Sequence, residues 1–240
     1  MLDDTAIGGP RERFPTTGLS LVARLGSEEC AVRVAAFGRI VDLYWKPIYK
    51  YLRLAHRKSN EEAKDLTQGF LAHALEKELL ANYDPTKARF RTFLRLCVDR
   101  FAANEAKAAT REKRGGSAEH IDYDAAEREL AAADHNEPDV VFEREWIRAL
   151  FENAIAVLRE RWSDRPAFAV FERYDLGDDP RPTYQQLADE LQIPVTTVTN
   201  HLAAVRRDFR AIAVELLRET TATDDEFRHE ARRLFGSKAV

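Results

Sequence analysis

Cysteine is nearly absent from this chain of 240 residues: Cys30 and Cys97 stand far apart and share no CxxC or Cys/His spacing. Neither a disulfide framework nor a zinc site is expected, and a reducing cytoplasm suits such a chain best. Long apolar runs are missing too, so no membrane-spanning helix and no membrane partner are expected. The opening "MLDDTAIGGP" is acidic and lacks an apolar core, so no secretory signal is expected. Six histidines fall at no metal-ligand spacing, and no glycine-rich phosphate loop or nucleophile motif occurs. The chain is therefore not expected to be an enzyme or to hold a metal or cofactor. Net positive charge is also lacking, with a sum of -4. That argues against indiscriminate coating of nucleic acid.

What is present is an uneven distribution of charge. Residues 87–116 carry nine basic and three acidic side chains, a local +6. Residues 117–145 carry ten acids and two arginines, a local -8. A basic block abutting an acidic one gives a surface for polyanions on a chain that is acidic overall.

Apolar residues recur at helical spacing throughout, and no segment alternates like a strand for long. The expected fold is all-α, with two small helical domains joined by an acidic linker. Residues 1–16 form a flexible start, 17–114 the first domain, 115–139 the linker, 140–218 the second domain and 219–240 a C-terminal extension. Pro47 is expected to kink or break its helix. Within the linker a transient helix is expected at residues 125–133.

"LADELQIPVTTVTNHL" has the spacing of a helix-turn-helix. Thr183 and Gln186 form a capping box, Leu187, Ala188 and Leu191 face inward, and Pro194 opens the second helix. Gln192 occupies the turn position that glycine usually fills in a left-handed conformation. With Val195, Val198, Leu202, Val205 and Phe209 inward, Thr196, Thr197, Thr199, Asn200 and His201 are left to face a DNA groove. Arg206 and Arg207 are expected on the DNA backbone. Residues 181–219 hold five arginines against five acids, so this unit has little electrostatic drive of its own.

The missing drive is supplied elsewhere. Arg100, Asn104, Lys107, Arg111 and Arg114 fall at offsets of 0, 4, 7, 11 and 14, one stripe of a helix suited to duplex phosphates. Just before it, "NYDPTKARFRTF" mixes Tyr83, Phe90 and Phe93 with Lys87, Arg89 and Arg91, a mixture suited to unstacked bases. Upstream again, "EEAKDLTQGF" aligns Glu61, Asp65 and Gln68 on one face, opposite Ala63, Leu66, Phe70 and Ala74. That acidic face suits a basic groove on another protein.

These motifs, in this order, resemble the bacterial RNA polymerase sigma factors of the extracytoplasmic-function group. "EEAKDLTQGF" resembles their polymerase-clamp-binding helix, "RFRTFLRLCVDRFAANEAKAATREKRGG" their −10 and promoter-melting segment, and "TYQQLADELQIPVTTVTNHLAAVRRDFR" their −35-reading segment. "FPTTGLSLV", "KRGG", "FEREW" and "ETTATDDEFRHEARRLF" resemble one subgroup with a short C-terminal extension. The resemblance implies no catalysis. It implies core RNA polymerase, through its clamp and flap, and promoter DNA as partners, with an anti-sigma factor or a Ser/Thr kinase as regulators.

Residue by residue, it implies clamp contact at Asp65, Leu66 and Gln68, and capture of a flipped base by Asn82, Tyr83 and Lys87 with Arg91 and Phe93 following. Asn104, Lys107 and Arg111 match positions beside the −10 duplex, and Thr196, Thr197, Thr199, Asn200 and Arg206 match −35-contacting positions. The acidic linker matches the segment threaded toward the polymerase active-site cleft. Two departures stand out: Thr199 and His201 replace the lysine or arginine of many relatives, and Lys64 replaces a frequent acid in the clamp helix. Phosphorylation of neighbouring Thr67 would restore about -1.5 to -2 of charge there. The same residues also fit a stand-alone helix-turn-helix regulator, which would bind its site without polymerase, or a helical adaptor.

Overall fold

The computed structural model describes residues 21–112, 137–177 and 180–236, the side chains of 111, 112, 137 and 138 excepted. Within them every regular element is helical. The single turn α1 (Leu21–Arg24) leads to α2 (Cys30–Leu54). Of the expected kink or break, the break does not occur: Pro47 sits buried inside one continuous α2. A proline forfeits one intrahelical hydrogen bond. Burial of Tyr44, Ile48 and Tyr51 around it, none more than 1% exposed, outweighs that loss.

The helix α3 (Asn60–Glu76) opens on a capping box, with Ser59 Oγ accepting from the Glu62 amide at 3.3 Å and the Glu62 carboxylate accepting from the Ser59 amide at 2.8 Å. A 3-10 turn (Leu79–Asn82) then leads to α4 (Phe90–Glu112). The segment 113–136 lies outside the described residues, and with it Arg114, the Gly-Gly pair, most of the expected linker and its transient helix.

The chain resumes in α5 (Glu137–Trp162) and continues through α6 (Pro166–Asp175), α7 (Tyr184–Leu191), α8 (Val195–Glu219) and α9 (Asp224–Phe235). Phe142, Trp146, Leu150 and Ala154 form a buried stripe of α5. Near its start α5 packs on α2, where the Tyr51 and Phe142 rings meet edge-on at 5.4 Å. Near its end it meets α8, where Trp162 Nε1 donates to Asp208 at 2.8 Å and Phe151 lies 5.9 Å from Phe209. A fully buried large side chain such as Phe142 contributes about 1.5–3 kcal/mol relative to exposure. Among the described residues one contiguous core therefore runs from Leu21 to Ala231, with α5 as the helix shared by the early and late elements. No helix among them is long and apolar enough to cross a membrane.

Candidate protein and nucleic-acid interfaces

The acidic face of α3 is exposed as its spacing requires. Ala63, Phe70 and Ala74 are buried, Leu66 is half-buried, and Glu61, Asp65 and Gln68 point outward. Lys64 pairs with Glu61 at 3.2 Å and so dilutes the negative stripe at one end. Thr67 does not fit the role of a modification site. It is 0% exposed, and its hydroxyl donates to the Ala63 carbonyl at 2.6 Å. A kinase cannot reach that oxygen while α3 is packed. The side chain lies on the Ala63–Phe70 face because three- and four-residue steps share one side of a helix.

The loop after α3 is a folded unit. Asp84 accepts from the Thr86 amide at 2.9 Å and from its hydroxyl at 2.7 Å. These bonds, the side-chain one first, hold the Asp84 carboxyl below its usual range. The Tyr83 hydroxyl donates to the Ala88 carbonyl at 2.8 Å, and its ring packs edge-on against Phe90 at 5.2 Å and tilted against Phe93 at 5.4 Å. Tyr83 and Phe93 are half-buried and support the loop with part of each ring still exposed. Asn82 and Lys87 are exposed.

Arg91 is the largest departure from expectation. Its guanidinium is not offered to DNA but lies 3.7 Å over the Trp146 ring, with its side chain 3% exposed. Nε donates to Glu143 at 3.0 Å, and Nη2 lies 3.1 Å from Glu230. One helical turn on, the buried Arg95 pairs with Asp99 and with Asp139. Arg91 and Arg95 of α4 thus face Glu143 and Asp139 of α5 as two rungs of an antiparallel ladder. Burial alone would weaken the charge on Arg91, but Glu143 and Glu230 more than offset it and hold the pKa above its ordinary value. Asp99 gathers a second set: Tyr51 donates to it at 2.8 Å, and His56 Nε2 lies 2.6 Å away.

From α9, Glu230 joins the same cluster. It is 0% exposed, paired with Arg89 at 2.7 Å and with Arg233 at 2.7 Å as well as with Arg91. Burial would raise its pKa, but Arg91, Arg233 and Arg89 together hold the carboxyl below the usual range. Sequence reasoning missed this acid, though the signal was present. Phe227, Glu230, Ala231 and Leu234 fall on one helical face, which puts a carboxylate among apolar positions.

The rest of α4 divides into a buried face and a more open one. Phe90, Leu94 and Cys97 are buried, and burial pushes the Cys97 thiol up to about 12, which leaves it unreactive. Arg100, Asn104 and Lys107 share another face, the first two half-buried and Lys107 exposed. Arg111 lies on α4 with its side chain outside the described set.

The helix-turn-helix forms as the sequence indicates. Thr183 Oγ1 accepts from the Gln186 amide at 3.2 Å, while Gln186 accepts from the Thr183 amide at 2.7 Å. Gln192 ends α7 in the left-handed conformation, at φ 55° and ψ 42°. The Ile193 amide donates to the Ala188 carbonyl at 3.0 Å and closes the turn. Pro194 stands at the N-cap of α8 and supplies no side-chain cap. Val198, Leu202 and Val205 are buried, so Thr196, Thr199, Asn200 and Arg207 face outward, with Thr197 and His201 half-buried.

Thr199 donates its hydroxyl proton to the Val195 carbonyl at 3.1 Å, which leaves its oxygen as an acceptor for a base amino group. Arg206 is not a free phosphate ligand. Its fork holds both oxygens of Asp175 at 2.8 Å, which, ahead of all else, raises its pKa. Comparison of the whole chain with protein-family models, curated proteins and solved structures gave no match.

Proposed function

We propose that the chain is a transcription-initiation factor similar to the extracytoplasmic-function sigma factors. It binds core RNA polymerase through the acidic face of α3 and brings promoter DNA to the open face of α4 and to α8. The observation that carries this reading is the α7–Gln192–α8 unit. A tight left-handed turn sets one helix against another, and the uncapped start of α8 presents Thr196, Thr199 and Asn200 outward. Unmet amides at a helix start attract phosphate, and hydroxyl and amide side chains read base edges. The exposed Glu61, Asp65 and Gln68 support a basic protein groove as the second partner.

With Arg206 paired to Asp175, the helix-turn-helix has even less free charge than its composition gives. Weak DNA contacts become useful when polymerase links them to a second set on the same promoter, because linkage raises effective concentration. In this reading the acidic segment joins two functional halves, and the factor acts in the cytoplasm. An anti-sigma factor remains a fitting regulator, whereas a kinase acting at Thr67 does not.

The test is in vitro transcription with purified core enzyme and fragmented genomic DNA. Discrete start sites that require the protein are expected; a polymerase that ignores it would overturn the reading. A stand-alone helix-turn-helix regulator is the second reading, favoured by the contiguous core that unites the early and late helices. Tight, sequence-specific binding without polymerase would select it.

A further inference from the structure

We infer that α9 is a latch over the base of α4, in which Glu230 stands where a nucleic-acid phosphate would otherwise sit; the inference rests on the DNA-binding role proposed for α4. Arg89 and Arg91 converge on one Glu230 oxygen at 2.7 and 3.1 Å, and Arg233 holds the other at 2.7 Å. With Glu230 0% and the Arg91 side chain 3% exposed, neither meets a phosphate from solvent while α9 is in place. Guanidinium groups gathered on one acid also suit a phosphodiester. The "ARFR" pair sits where the loop enters α4.

The helix joins the core through its first turns and is less fully covered at its end. Of its apolar side chains Phe227 and Ala231 are buried, whereas Leu234 and Phe235 are half-buried. Its link to α4 runs through the ion pairs of Glu230. The cluster also leaves buried polar atoms unmet: Arg91 Nη1, Tyr44 Oη and Glu226 Oε1 have no hydrogen-bond partner among the described residues. A buried ionic cluster that is incompletely bonded is costly to hold closed. Such a contact suits a helix that is displaced. A polyanion that draws Arg89 and Arg91 away strips Glu230 of two of its three partners, and α9 must then leave.

The test uses the full chain and fluorescein-labelled oligothymidylate as the single-stranded probe. Hydrogen exchange across α9 is measured with and without the probe, and fluorescence anisotropy compares wild type with Glu230→Gln. Faster exchange in α9 on binding is expected. Tighter binding by Glu230→Gln is also expected, about tenfold if the closed form holds about nine molecules in ten. Equal affinities with α9 exchange unchanged at saturation would overturn the latch, as would a lack of probe binding by either protein. If Glu230→Gln does not fold, the exchange of wild-type α9 decides alone. If α9 responds to the probe but core polymerase ignores the chain in the transcription assay, the initiation reading falls and the latch stands.

Discussion

Arg91 and Lys107 lie on the same helix, four turns and a few residues apart, and meet opposite surroundings. Arg91 is sandwiched between the Trp146 face and two carboxylates, Glu143 and Glu230. Lys107 stands exposed on a face it shares with Arg100 and Asn104. Viewed along α4 alone, both are cations on a basic helix. The difference comes from other segments: α5 brings Asp139 and Glu143 to the first half of α4, and α9 brings Glu230. A cation therefore says little about nucleic acid until the acids that fold back onto it are known.

The strongest way to break this comparison is Arg91→Ala. It removes the buried one of the two cations that Glu143 and Glu230 share, leaving only the more exposed Arg233 between them, and loss of one partner costs about 3–5 kcal/mol in buried pairs. Urea unfolding should show it; a cost below about 1 kcal/mol would put Arg91 in the class of surface ion pairs and erase the contrast with Lys107. Glu230→Gln should cost less at neutral pH, because glutamine keeps one acceptor oxygen. Its pH dependence sharpens the point. A carboxyl whose folded pKa is depressed adds stability above its unfolded value and loses it as pH falls through the folded one. The charges facing Glu230 are Arg89 and Arg91 of α4, Glu143 of α5 and Arg233 of α9. The stability gap between wild type and Glu230→Gln should thus be full at neutral pH and shrink only below 4.5, the ordinary value for this group.

Local rules in the sequence were enough for much of this structure. Both capping boxes, the left-handed turn at Gln192, the buried stripe of α5 and the outward acids of α3 follow from spacings within a few residues. What was not legible depends on contacts across the chain. Arg91 and Glu143 are 52 residues apart, and Arg89 and Glu230 are 141 apart. No periodicity links them. Pro47 stays inside one helix for a related reason: the burial of Tyr44, Ile48 and Tyr51 around it is set by packing across the chain. The contiguous core through α5 is likewise a product of both faces of one helix, each claimed by a different group of neighbours.

Smaller effects test whether the helix-turn-helix is set by its own local rules. Thr183→Ala removes the acceptor for the Gln186 amide and should destabilise by about 1 kcal/mol. Gln192→Gly relieves a side chain from the left-handed conformation and should stabilise by up to about 1 kcal/mol. Thermal unfolding should show the two shifts with opposite signs, and DNA affinity should follow neither.

Lys107→Ala should have the least effect on stability and is the most informative on the open half of α4. An exposed position away from caps and packing changes stability by no more than about 0.5 kcal/mol. If Lys107 neutralises a promoter phosphate, the slope of log affinity against log salt for the polymerase complex should fall by about one, because one fewer counterion is released. Arg91→Gln, which removes the charge as Lys107→Ala does, should lower stability with little change in that slope as long as α9 stays closed over α4. Should both substitutions change the slope equally, Arg91 would be reaching phosphate in the complex, and the two halves of α4 would then be distinct only in the free protein.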